Sequence, residues 1–405
     1  MKQAWCVSPS LPSGAKSANY PGWLLPADVP SIAMSHPTAK SWTDPFGSNR
    51  LGLWLADRRD RKAGLTHRVA ARWGWLKPMG ERGKVVWIVA GAERDSVRLA
   101  VELLRAIRAR RLDIRLVLTY EHEYPELLAL LDDCDKTGWG FAPCDHPKAT
   151  ARVLQRFEPF GVVLVGTRPR PNLLAALAGW PRLLAVNVPD PIDFACERVY
   201  ASNESATAQA NQAPIADMRA ILAEAQVDPN FKSLVNGNAE RHLWWLHGAS
   251  PGYAGELAQA LFRLAPQDIL FVSGERPPAA VIPMSSWNRE PPAGGSVMWV
   301  DDSKWLPGIA AAVTAAHLVQ FDAAVLWQAM AGGAALSRAP GMKLPKAALA
   351  EAVPEAAGVA ALWYSYRDAP IAARKHGDTA RRLFWQERRL AESVSRELVE
   401  RIFEW

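Results

Sequence analysis

Several short stretches place a reactive side chain just beyond an apolar run. In WIVAGAERDS, Glu93 follows the run Val85–Ala90 after the small residues Gly91 and Ala92. A carboxylate at a strand-to-helix turn can act as general base toward an acceptor hydroxyl. It can equally be a helix N-terminal acid favoured by the macrodipole. In GTRPRPN, the residues Thr167, Arg168, Arg170 and Asn172 follow another apolar run. Two guanidiniums beside a helix start suit a carboxylate or phosphate, or they are solvated surface charge. Further on, SGERPP (Ser273–Pro278) and the pair Asp302–Ser303 also follow apolar runs. Gln328 in LWQAMAGG lies on a helix face that could meet a ribose.

Other chemistries lack their signatures. There is no G-x-G-x-x-G, no G-x-x-x-x-G-K-[ST] and no H-E-x-x-H, which argues against a dinucleotide oxidoreductase, a P-loop ATPase and a zinc protease. The eight His are dispersed, and His242 and His247 are spaced wrongly for one helical face. No metal site is expected.

The elements that must carry these residues alternate. Val85–Ala90, Ile114–Tyr120, Gly161–Thr167 and Arg182–Val188 read as buried strands. Helices are expected near 96–111, 125–131 and 147–157. After a polar connection over 190–240, strands recur at 243–246, 268–273 and 297–301. Helices are expected over 253–264, 308–317 and 323–331, and a last one from Asp378, a good N-cap, to the C-terminus. Near-continuous apolar strands between helices imply parallel sheets covered on both faces. The expectation is an α/β chain of two Rossmann-like halves, with ligands beyond the carboxyl ends of the strands. The domain reading is a Pro-, Ser- and Gly-rich arm over 1–50, a first domain over 51–200, a second over 201–376 and a C-terminal helix over 377–405 packing back toward the first.

Composition sets the outer limits. The 405 residues are 49% hydrophobic and 22% charged, which is globular and excludes wholesale disorder. The net charge of +6 permits an anionic partner without requiring one. Four scattered cysteines read as free thiols of a reducing compartment. With no signal-peptide core and no long apolar run, a cytoplasmic chain is expected. Residues 51–77 mix Leu51, Leu53, Trp54, Leu55, Trp73 and Trp75 with Arg58, Arg59, Arg61, Lys62, Arg68 and Arg72. They could lie on an anionic bilayer, peripheral at the cytoplasmic face of the inner membrane, or pack on their own domain. Of the 18 Trp, Trp87, Trp244 and Trp299 fall in strands and are expected in the core.

Taken in order, the stretches resemble the 3-deoxy-D-manno-octulosonic acid (Kdo) transferases of lipopolysaccharide synthesis. RVAARWGW looks like the family's R-x-R-x-G segment. WIVAGAE resembles W-I-H-x-V-S-V-G-E, which puts Glu93 on the glutamate that is the family's general base. PCDHPKATARVLQRFEPFGVVLVGTRPRPNLLAAL resembles P-x-D-x-P-x-x-x-x-R-F-L-x-x-x-x-P-x-x-x-x-x-x-E-T-E-L-W-P-N-L. Pro143, Asp145, Phe157, Pro159, Thr167, Pro171, Asn172 and Leu173 fit that pattern. DILFVSGER stands where the family has a strand and P-R-H-P-E-R, with Glu275 and Arg276 on its last two residues. VMWVDDS resembles a strand ending G-D-T, and WQAMAGGAAL resembles L-E-A-A-A, with Gln328 at the glutamate that holds the ribose. The acidic E-T-E-L-W stretch has become Gly166–Arg170, which reverses its charge, and the family's G-G-H-N loop has no counterpart.

The resemblance implies a GT-B fold, two Rossmann-like parallel-sheet domains with an interdomain cleft. It implies a metal-independent glycosyltransferase moving Kdo or a related 2-keto-3-deoxy acid from a nucleotide-sugar, CMP-linked, to a saccharide or lipid-linked acceptor, with no other cofactor. Glu93 is the expected catalytic residue. Arg276, Asp302, Ser303 and Gln328 are expected on the donor side, and Thr167, Arg168, Arg170 and Asn172 at the acceptor or an anion. The alternative is a catalytically inactive homologue serving as a scaffold in envelope polysaccharide assembly. Nucleic acid is not an expected partner.

Overall fold

The computed structural model describes residues 44–405 except 77, 79, 81, 189–193, 203–211, 224–229, 237–240, 275–280 and 346–347. Most of the expected N-terminal arm, and Arg276 with Glu275, thus lie outside the described residues. The chain divides into two compact units. One takes residues 1–184 with 193–197 and Trp405, the other 185–192 and 198–404.

The first begins with helices α1 (Arg50–Lys62) and α2 (Thr66–Arg72). Asn49 caps α1, its side chain accepting from the Leu51 N–H at 3.0 Å. The inner side of α1 buries Leu53 and Ala56. It also sets Asp57 and Asp60 around the buried guanidinium of Arg72. Trp73 Nε1 donates to Asp57 at 2.7 Å. The outer side leaves Leu51, Trp54 and Leu55 exposed. The stretch therefore packs on its own unit while presenting a second apolar face.

Strand β1 (Val85–Ala90) leads into α3 (Arg94–Arg110), then β2 (Arg115–Tyr120), α4 (Pro125–Leu128), β3 (Thr137–Phe141), α5 (Pro147–Phe157), β4 (Pro159–Val165), α6 (Pro171–Leu177), β5 (Leu183–Val186) and β6 (Arg198–Tyr200). The sheet order is β3-β2-β1-β4-β5-β6. β1 pairs in parallel with both β2 and β4, so the order reverses between β1 and β4. Every residue of VVWIVA is buried, as a strand covered on both faces requires. Trp87 fits there because its Nε1 donates to Thr119 Oγ1 at 2.9 Å and its ring meets Phe157 edge-on at 5.4 Å. β3, TGWGF, has no counterpart among the expected strands.

The second unit runs α7 (Phe231–Asn236), β7 (Leu243–His247), α8 (Pro251–Leu264), β8 (Ile269–Ser273), β9 (Ile282–Pro283), β10 (Val297–Val300), α9 (Leu306–Ala312), β11 (Ala315–Leu318), α10 (Ala323–Gly332), β12 (Ala335–Arg338), β13 (Glu351–Ala352), α11 (Ala356–Asp368) and α12 (Pro370–Glu404). Its sheet is ordered β13-β12-β11-β7-β8-β10-β9, with the reversal between β7 and β11. Trp244 and Trp363 stack in the core at 5.3 Å and 7°.

Three expectations are corrected. The helix expected over 308–317 stops at Ala312, and Ala315–Leu318 becomes β11, because pairing to β7 and β12 outweighs the helix propensity of the alanines. The last helix starts at Pro370, where a proline loses no helical hydrogen bond, so Asp378 sits inside it and pairs with Arg381. Trp299 is only half-buried, lying at the margin of the core.

Asp217, fully buried, organises the start of this unit. Its carboxylate accepts from Arg219 Nε at 2.8 Å, Arg219 Nη2 at 2.9 Å, Trp327 Nε1 at 3.0 Å and Asn187 Nδ2 at 3.2 Å. Its backbone N–H donates to Glu387 of α12 at 2.6 Å. Burial, with the nearby charge of Asp217, raises the Glu387 pKa against that hydrogen bond. A raised carboxyl pKa adds stability below its unfolded value, and the contribution is lost as pH rises through the folded value. Glu387→Gln keeps an acceptor for the Asp217 N–H and removes the charge. It is expected to melt about 1–3 °C above the parent near neutral pH, with the gain vanishing toward pH 4. Melting curves across that range check this; a lower melting temperature at neutral pH would contradict it.

Candidate active site

Ligands of open parallel sheets sit beyond the carboxyl ends of the strands where strand order reverses. In the first unit that place is the crossing of the β1–α3 and β4–α6 turns. Gly91 N–H donates to Val165 O at 3.0 Å, and a Cβ on Gly91 would stand 2.7 Å from Gly166 O. Gly166 has φ +61°, and a Cβ there would strike Ser96 Oγ. Only backbone fits at this crossing.

Glu93 emerges from it. It is exposed, stands as N-cap of α3 and makes no side-chain cap hydrogen bond. Beside it, Tyr124 Oη donates to Ala92 O at 3.0 Å. Burial raises the Tyr124 pKa, with the Arg94 charge opposing the rise and the Glu93 carboxylate adding to it.

The Gly166–Arg170 segment is not a bare positive rim. Arg170 Nε donates to Glu121 at 2.9 Å and Nη1 to Asp44 at 2.8 Å. Burial works against its charge, but the two carboxylates prevail and hold its pKa above the ordinary arginine value. The charge reversal read from the sequence is thus cancelled locally, and Arg170 ties three chain segments together. Arg168 is exposed, and half-buried Thr167 donates from Oγ1 to Arg168 O at 3.3 Å. Asn172 is held by Asp145. Its Nδ2 donates to Asp145 O at 2.7 Å, and Asp145 Oδ1 accepts from the N–H groups of Asn172 and Leu173 at 2.9 and 3.2 Å. These contacts dock the start of α6 onto the loop after β3, so the P-x-D and P-N-L parts of the motif meet in space.

Next to this edge lies a cavity of about 400 Å³, bordered by Phe46, Arg68, Arg72, Glu121, Glu123 and Phe141 among others. Arg68 donates to Glu123 at 2.9 Å and lies 4.6 Å over the Phe141 ring. Carboxylates, guanidiniums and aromatic faces around one space suit a polyhydroxylated ligand. Asp44, Glu121 and Glu123 were not singled out from the sequence. The run YEHEYPE, three acids and a histidine beyond a strand, was the available signal.

In the second unit, Asp302 caps a short turn, accepting from Lys304 N at 2.9 Å, and pairs with Lys304 Nζ at 2.9 Å. Ser303 beside it is half-buried. Both follow β10, which β8 separates from β7 and its reversal. Gln328 is buried on α10, the helix that follows β11. The stretch GASPG (Gly248–Gly252) has the letters of a serine-hydrolase elbow between strand and helix. Ser250, however, has ordinary extended backbone (φ −64°, ψ 154°) and caps α8 by accepting from Tyr253 N at 3.3 Å. It is a cap.

Comparisons with known proteins agree with the fold. Residues 67–184 match the family model for 3-deoxy-D-manno-octulosonic-acid transferase (kdotransferase). No curated protein sequence matches the chain. Among solved structures, a glycosyltransferase from Rickettsia africae is similar with a TM-score of 0.53 at 12% identity, over 80% of this chain and 99% of that one. A UDP-GlcNAc 2-epimerase from Neisseria meningitidis, bound to UDP-GlcNAc, has a TM-score of 0.53 at 10% identity, over 78% of this chain and all of that one. Residues 67–184 are thus similar to the Kdo transferases, and the two parallel sheets with their reversed strand orders give the chain the GT-B fold.

Proposed function

We propose that the chain is a glycosyltransferase that moves a sugar, Kdo or a related 2-keto-3-deoxy acid, from a nucleotide-linked donor to a saccharide or lipid-linked acceptor. The observation that carries this reading is Glu93, exposed and uncapped at the strand-order reversal of the unit that matches the Kdo transferase model. In the proposed reaction the acceptor hydroxyl gives its proton to Glu93. Its oxygen bonds to the anomeric carbon as that carbon's bond to the nucleotide phosphate breaks, and the phosphate leaves with the electron pair. No step calls for a metal.

The cavity bordered by Arg68, Glu121, Glu123 and Phe141 in the same unit supports a polyhydroxylated acceptor. The second unit, with Asp302, Ser303 and Gln328, is the donor side in this reading, and CMP the leading nucleotide. The outer face of α1 supports an acceptor met at an anionic bilayer, since Leu51, Trp54 and Leu55 are exposed beside Arg58 and Arg59. Among the described residues no helix is long and apolar enough to cross a membrane.

The test is a screen of CMP-, UDP- and GDP-linked sugars for hydrolysis and transfer, with and without anionic vesicles. Turnover of at least one donor is expected, with transfer favoured by vesicles. Failure to turn over or bind any of them at millimolar concentration would replace this reading with the scaffold.

A further inference from the structure

At the carboxyl edge of the seven-stranded sheet, three polar side chains meet that the proposed reaction does not use. His247 is the last residue of β7, Ser273 the last of β8, and Asp322 the N-cap of α10 just after β11. They stand at the reversal between β7 and β11, where a parallel sheet of this order takes its ligand. The turns after β7 and β8 touch through backbone here. Gly248 and Gly274 both have positive φ, and a Cβ on Gly274 would lie 3.2 Å from Gly248 Cα.

The hydrogen bonds fix the imidazole's tautomer. Trp245 Nε1 can only donate, and does so to Ser273 Oγ at 2.9 Å. Ser273 Oγ lies 2.8 Å from His247 Nδ1. The other ring nitrogen, Nε2, faces Asp322 Oδ2 at 3.8 Å. A proton on Nδ1 would leave the Nε2 lone pair facing a carboxylate, so the serine hydroxyl donates to Nδ1 and Nε2 carries the hydrogen. Burial holds the His247 pKa below its ordinary value, against the opposing pull of Asp322. Ser273 is 5% exposed and already engaged by an indole, which suits a tautomer lock and not a nucleophile.

From this geometry we infer that His247 and Asp322 read a hydroxyl of the ligand bound by the second unit. The inference rests on the donor reading of that unit. An N–H donor and a carboxylate acceptor 3.8 Å apart stand beyond direct hydrogen-bond distance. A group inserted there must accept from Nε2 and donate to Oδ2, which an alcohol does. A phosphate or carboxylate would meet the Asp322 charge instead. Asp322 is free to serve through Oδ2 because its cap bond, from Val325 N at 3.1 Å, uses Oδ1. The hydroxyl belongs either to the ribose or to the transferred sugar.

Two measurements on the full chain test the inference. Long-range 1H–15N correlation of labelled histidine should show His247 as the Nε2–H tautomer, identified by its loss in His247→Gln. A Nδ1–H tautomer overturns the inference whatever binds. Calorimetry then compares the parent with Asp322→Ser, which keeps a capping oxygen but is too short to reach the ligand. Probes are CMP, UDP and GDP, the 2′,3′-dideoxy form of the best binder, and its sugar-linked form. A ten- to hundredfold loss in Asp322→Ser is expected. If the ribose is read, the loss appears with the nucleotide and disappears with the dideoxy probe. If the sugar is read, it appears only with the sugar-linked probe. Equal affinities of parent and variant for every probe overturn the inference while leaving the donor reading intact. A parent that binds none of the probes removes the donor reading and this one with it. Asp322→Asn, with unchanged melting, serves as the graded control.

Discussion

Replacing Glu93 with glutamine is expected to lower kcat by about 10²- to 10⁴-fold, the range a general base contributes. Nucleotide affinity and melting temperature should stay at the parent's values. The argument is geometric. Glu93 makes no side-chain cap bond and stands exposed after the backbone-only crossing of Gly91 and Gly166. The packing of β1 and α3 therefore does not rest on it, and glutamine fills the same space without a site for the proton. If the residue were only a helix N-terminal acid, the variant would lose about 0.3–1 kcal/mol of stability and no activity. The two outcomes separate cleanly. Unchanged turnover would end the catalytic assignment, whereas a fall in kcat at constant melting temperature would establish a role in the chemistry. Single-turnover measurement with the donor from the nucleotide-sugar screen is the appropriate assay.

Asp217→Ala is expected to remove about 3–5 kcal/mol from the second unit, the usual result of taking one partner from a buried charge pair. The loss is large because the substitution strands several donors together. Arg219 would keep its charge without its anion, and the fully buried Trp327 Nε1 would have no acceptor. A unit of this size should then melt about 6–20 °C lower. Calorimetry of the full chain reads the effect. Asp217→Asn, which keeps an acceptor and loses the charge, should fall between variant and parent. A melting curve of Asp217→Ala that overlays the parent's would show that the cluster relaxes or takes up water, contrary to this account.

Much of the fold was legible because it rests on continuous apolar runs. VVWIVA, GVVLVGT and DILFVS read as strands with no knowledge of their neighbours, and each forms one. Strands that draw their stability from neighbours were not. TGWGF has a glycine before each of its two large side chains, yet β2 recruits it as β3. The alanine-rich AAHL has a helix former's composition and becomes a strand only because β7 and β12 flank it.

The same division runs through the site. The place of Glu93 just after β1 could be read from the apolar run before it. The partners of Arg170 could not, since Glu121 and Asp44 lie 49 and 126 positions away in the chain. Nothing local to GTRPRPN shows that its charge is answered. The hydroxyl-reading pair was hidden for a related reason. His247, Ser273 and Asp322 belong to three separate turns that meet only once the seven strands are in order.

That order has a bearing on how the protein behaves at high concentration. Both outermost strands of the seven, β13 (Glu351–Ala352) and β9 (Ile282–Pro283), are two residues long, and one contains a proline. Open N–H and C=O groups on a longer outer strand are templates for another chain, and short or proline-bearing margins deny that template. A sheet of seven parallel strands could otherwise grow from one molecule into the next. Extending either margin by a few β-branched residues would invite fibrillar self-association without touching a single residue of the core.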